Sequence, residues 1–94
     1  MAVHQLPAVG GVHATLAGAT VDTVQTDGIS VEVEVMNRAS EGWLYVRADG
    51  DAAEVEATGT VPVAPGGWVV ITVADGASVS IAGDGQPYSC TRAR

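Results

Sequence analysis

The sequence predicts an all-β fold, a small antiparallel β-sandwich or jelly-roll-like barrel of about seven or eight short strands. Three observations point there. Alanine and valine make up about a third of the 94 residues, and there is no phenylalanine and no lysine. Four Asp-Gly pairs, at Asp27-Gly28, Asp49-Gly50, Asp75-Gly76 and Asp84-Gly85, separate short apolar runs and favour tight turns. No segment repeats its apolar residues with the 3.6-residue period of a helix.

The elements follow in order. Residues 1–11 have no period and are broken by Pro7 and Gly10-Gly11, so they read as an extended N-terminal arm ahead of a single domain over 12–94. Val12–Leu16 is the first strand expected, ending at Gly18, and the β-branched run Thr20–Gln25 is the second. Ile29–Val35 has the cleanest alternation: Ile29, Val31, Val33 and Val35 share one face, while Ser30, Glu32 and Glu34 share the other. After a polar connection, Trp43–Ala48 resumes a strand with Leu44 and Val46 opposite Trp43 and Tyr45. The acidic, alanine-rich stretch 49–60 reads as a loop with a short edge strand near Glu54–Glu56. Val61 and Val63 face one way before Pro65-Gly66-Gly67 turns the chain.

Trp68–Val73, Ala77–Ala82 and Tyr88–Thr91 complete the set, and matching their apolar parity gives a three-stranded meander. A three-residue loop, Ala74-Asp75-Gly76, pairs Ile71 with Val79 and Val69 with Ile81, with Gly76 left-handed. A two-residue Asp84-Gly85 turn pairs Ile81 with Tyr88 and Val79 with Cys90, which makes Cys90 a small core residue.

Composition narrows the function. A net charge of −7 arises from eleven acids against Arg38, Arg47, Arg92 and Arg94. That balance cannot line a phosphate backbone with cations, so nucleic acid is excluded as a partner, and an anionic membrane surface is disfavoured. The N-terminus lacks a cationic leader and no run reaches the length of a membrane span. Cys90, the only cysteine, rules out an intrachain disulfide and fits a reducing cytoplasm. A core built on alanine and valine is modest, so association is the expected supplement.

Little chemistry is visible. His4 and His13 lie in or beside the arm, and no nucleophile–base motif or phosphate loop occurs, so no enzyme and no catalytic residues are expected. Asp49, Asp51 and Glu54 supply closely spaced oxygens, but Ala53 and Glu54 break the calcium-loop pattern; neither metal nor cofactor is expected. Trp43 and Trp68 fall on the opposite parity from the aliphatic residues of their strands. They either point outward or close an end of the core.

In texture, Val12–Thr91 resembles the small β-sandwich virion proteins of tailed bacteriophages that infect actinobacteria. The likeness is carried by Thr20-Val21-Asp22-Thr23-Val24, Val33-Glu34-Val35-Met36-Asn37-Arg38 and Leu44-Tyr45-Val46. Val61-Pro62 with Pro65-Gly66-Gly67, and Tyr88-Ser89-Cys90-Thr91, complete it. The resemblance implies a capsid decoration protein, made in the bacterial cytoplasm and carried on the virion surface. It implies the major capsid protein as partner and self-association, as a trimer. In that reading Val3, His4, Leu6, Pro7 and Val9 form a partner-binding arm, and Trp43, Tyr45, Trp68, Arg92 and Arg94 an interface. A tail or head–tail connector subunit is the nearest alternative. A carbohydrate- or cell-surface-binding module, motivated by Trp43, Tyr45, Trp68 and Tyr88, is the alternative from another class.

Overall fold

A computed structural model describes residues 2–26, 31–74 and 77–93. Nine strands and no helix occur among them, so no helix is long and apolar enough to cross a membrane. The strands are β1 (Val3–Gln5), β2 (Gly11–Thr15), β3 (Ala19–Gln25), β4 (Val31–Asn37), β5 (Leu44–Arg47), β6 (Val61–Val63), β7 (Trp68–Val73), β8 (Ser78–Asp84) and β9 (Pro87–Arg92). They form two sheets, β1-β3-β8-β5-β6 and β2-β9-β4-β7.

Four antiparallel pairs are nested one inside the next. Gly11 faces Thr91, Ala19 faces Asp84, Val31 faces Val73, and Leu44 faces Val63. Such a rolled-up hairpin, with successive strands alternating between two sheets, is a jelly roll. Lateral ladders from β4 to β9 and from β5 to β8 hold the layers of the roll together. The all-β sandwich expected from the sequence is thus the observed fold.

The nesting replaces the C-terminal meander. β7, β8 and β9 alternate between sheets, and none of them pairs with the next. Val73, Val79, Ile81, Tyr88 and Cys90 are all buried, as the parity requires. They meet across the interior rather than along one sheet. At the turn after β8, Gly85 adopts φ +84° and its N–H donates to the Gly18 carbonyl at 3.1 Å, tying the arch to the β2–β3 connection. The Asp27-Gly28 and Asp75-Gly76 turns, together with Ile29 and Gly76's expected left-handed conformation, lie outside the described residues.

The expected arm is also part of the roll. β1 pairs in parallel with β3, setting Val3, His4 and Gln5 against Thr23, Val24 and Gln25. The Leu6 N–H continues the ladder to the Gln25 carbonyl at 2.8 Å, and its side chain is 2% exposed within the core cluster. The reason is physical: β1 covers the edge of β3, and burying the Leu6 side chain in the core offsets the cost of ordering the segment. The short strand expected near Glu54–Glu56 is absent as well. That segment is a pair of turns, with Glu56 at φ +62°.

Candidate functional site

Three polar clusters lie inside or beside the core, and the partners within each depend on the tertiary structure. The first joins the two sheets. Asp22 on β3 points inward and is buried; its Oδ2 accepts the Tyr88 hydroxyl of β9 at 2.8 Å, and its Oδ1 accepts the Ala2 N–H at 3.1 Å. Burial first, and the hydrogen bond to Asp22 second, raise the Tyr88 pKa well above the ordinary phenol value and keep the hydroxyl protonated. His4 Nε2 lies 3.7 Å from Asp22 Oδ2, beyond hydrogen-bond reach. This cluster ties the N-terminal residues to the sandwich. Tyr88, offered by the sequence as a surface aromatic, is fully buried.

The second cluster is built on Asn37, buried at the end of β4. Its Nδ2 donates to the Gly42 and Val63 carbonyls at 3.0 and 3.1 Å, and its Oδ1 accepts the Ala39 N–H at 3.1 Å. It therefore satisfies the backbone of the turn that carries Trp43. The third lies in the 48–60 loop, where Arg47 bonds Asp49 at 2.6 Å and Asp51 at 3.1 Å. The hydrogen bond between them lowers the Asp49 pKa and raises that of Arg47. Asp49 and Asp51, two of the three carboxylates weighed as calcium ligands, thus serve a guanidinium. Among the described residues no group of three or more His, Cys, Asp or Glu is placed to hold a metal ion.

The aromatic residues divide between opposite faces. Trp43 and Trp68 both point outward, 50% and 63% exposed, which settles the two readings their parity left open. Trp68 stands on β7, the free edge of the four-stranded sheet, beside Met36 in the ladder and near the exposed Val70. Trp43 and Tyr45 stand on the outer face of the five-stranded sheet, where the register aligns Val21, Ala82, Tyr45 and Pro62 in one row across four strands.

Val21, Ala82 and Tyr45 of that row floor a groove of about 510 Å³, with Trp43, Val55, Glu54, Asp84 and Gln86 around it. Its overhang is the 48–60 loop, fixed by the Ala53 N–H donating to Ser80 Oγ at 2.9 Å and by Glu54 N–H to Thr60 Oγ1 at 3.3 Å. Gln86 closes the end. A Cβ on Gly42 or Gly83 would displace its carboxamide, and Gly42 in addition holds φ +86°, a conformation that favours glycine. Val55 and Gln86 were not singled out by sequence, and Val21, Glu54 and Asp84 were noted there in other roles, not as parts of a groove. Val21 breaks the inward set of its strand, and the others come from loops or strand ends.

Other expected site residues are placed as follows. Val3 and Val9 are exposed, and Pro7 is half-buried, its carbonyl accepting Arg92 Nε at 3.0 Å. Arg92 therefore clamps the segment after β1 instead of extending as a free interface cation; Arg94 lies outside the described residues. His13 Nδ1 and Ser89 Oγ approach to 2.8 Å across the β2–β9 ladder. Cys90 is buried in the core, and burial pushes its thiol up to about 12, which leaves it protonated and inert. The chain matches no protein-family model, no curated protein and no solved structure.

Proposed function

We propose that this chain is a non-enzymatic structural protein of a bacteriophage virion, a decoration protein that binds major capsid protein subunits on the shell surface and stabilises them. One observation carries the reading: the free edge of β7. Trp68 is 63% exposed and Val70 50% exposed there, and Trp68–Val73 contains no charged residue and no proline. Monomeric sandwiches guard a six-residue edge with charges, proline or a covering segment. An unguarded edge flanked by an indole suits a strand or apolar surface of a neighbour. The jelly roll adds support by analogy only, since capsid and lectin domains both use it.

The segment before β2 pairs with β3. It completes the sheet, so the docking surface is the outer face and edge of the four-stranded sheet. Self-association as a trimer belongs to the same proposal. The test is a sedimentation assay of purified chain with undecorated capsids. Trp68→Asp with Val70→Asp should leave a folded domain, because both side chains are exposed, and abolish coating. Undiminished coating by the double variant would sink the proposal.

A further inference from the structure

The opposite face carries a second feature, independent of how the chain docks. The groove beside Trp43 combines three properties. Its floor and lip are apolar: Val21, Tyr45 and Ala82 below and Val55 above, with a half-exposed indole at the side. Its polar side chains are the carboxylates of Glu54 and Asp84, the Gln86 amide and the Thr20 and Tyr45 hydroxyls, with no arginine among the lining residues. Its volume of about 510 Å³ lies in the range of small-ligand sites.

The two carboxylates stand apart. Ala53 bonds Ser80, so the loop that brings Glu54 sits over that part of β8. Asp84 ends the same strand four residues further on, and Ala82 lies between. At a strand's rise Ser80 and Asp84 lie about 13 Å apart along β8, so the two carboxylates reach the groove from different ends of it. Such a layout suits an extended ligand with hydrogen-bond donors at both ends rather than a single point charge.

The overhang is pre-formed at some cost. Val55 is exposed although apolar, and the next residue, Glu56, holds φ +62°, a conformation that side-chain-bearing residues rarely adopt. Glu56 does not itself line the groove; its strained backbone sets the position of the adjoining Val55, which does. The chemistry selects the ligand class. An anionic ligand would meet two carboxylates with no compensating cation. A purely apolar one would strip water from those carboxylates without replacing their hydrogen bonds. A sugar satisfies both halves: its C–H face lies on an aromatic ring while its hydroxyls donate to carboxylate and amide oxygens.

We propose that this groove binds a neutral oligosaccharide, one ring stacked on Trp43 and its hydroxyls donating to Glu54 and Asp84. Tyr45, two residues on and about 6.6 Å along the strand, extends the platform toward the loop. The inference rests on the five-stranded sheet alone and does not depend on capsid binding.

The test is a nitrogen–proton NMR titration of the full chain with short cello-, chito-, xylo- and malto-oligosaccharides up to about 10 mM. The expected result is a saturable shift of the Trp43 indole N–H by at least one sugar series, with the Trp68 indole unmoved. Trp43→Ala should weaken that binding about tenfold or more, and Trp68→Ala should leave it unchanged. Glu54→Gln, at an exposed loop residue, provides a second weakened variant should Trp43→Ala fold poorly. Silence across the whole panel would overturn the proposal. So would a response only to N-acetyl-arginine amide, which would assign the groove to a cationic side chain of a partner. Binding that survives both variants would overturn it too.

Discussion

Leu6 is the residue whose replacement tests the closed roll most directly. As part of a free arm it would contribute nothing to the stability of the domain. In the structure its side chain is 2% exposed, within the core cluster, and its N–H extends the β1–β3 ladder. Leu→Ala at such a site costs about 2–5 kcal/mol, the transfer of the lost carbons plus the cavity they leave. An edge position can relax partly, which argues for the lower half of that range, about 2–3 kcal/mol. A domain of this length has a total stability of about 5–14 kcal/mol, so the change removes a substantial fraction. At about 4–8 °C per kcal/mol, the melting temperature should fall roughly 10–20 °C. Urea unfolding followed by tryptophan fluorescence and far-UV circular dichroism would measure it. Val9→Ala, at a residue 89% exposed in the following connection, is the control and should change stability by less than about 0.5 kcal/mol. Equal midpoints for Leu6→Ala and Val9→Ala would refute the reasoning and return residues 1–11 to the status of an arm.

Two further outcomes are expected. Tyr88→Phe leaves the buried Asp22 Oδ2 without its 2.8 Å donor and should destabilise by about 1–3 kcal/mol. A double-mutant cycle with Asp22→Asn should show coupling above about 0.5 kcal/mol, and strict additivity would deny the bond between the sheets. The alkaline limb of stability should be steep. Cys90, raised from 9.0 to about 12, and Tyr88, raised from 10.0, keep their protons when folded and lose them when unfolded. Their contribution is therefore complete below about pH 9 and lost as pH climbs toward 12. Cys90→Ala should delay the onset of that loss by about one pH unit, as the ordinary thiol and phenol values imply, and denaturation midpoints from pH 7 to 11 would reveal it.

Much of the site was legible in part. Parity alone placed Trp43 and Tyr45 on one side of their strand, opposite Leu44 and Val46, and the structure shows the first pair outward and the second in the core. Nothing local announced that Val21 and Ala82 lie beside Tyr45, because their proximity depends on β3 and β5 both pairing with β8. Asp22 was hidden for a related reason. A polar residue at an inward position looks like a strand-face error until its partner, sixty-six residues away, is known.

The sequence by itself determined that the chain is all-β, that Val31, Val33, Val35, Val79, Ile81 and Cys90 turn inward, and that neither tryptophan joins the aliphatic face of its strand. Side-chain alternation is a local property with a period of two, so each strand reports its own faces. Only the tertiary structure decided which strands meet. A hairpin within one sheet and an arch between two sheets bury the same residues and satisfy the same parity. The choice between them comes from closing the roll over distant pairs, Gly11 with Thr91 and Ala19 with Asp84, and from β1 and Leu6 covering the edge that closure leaves open.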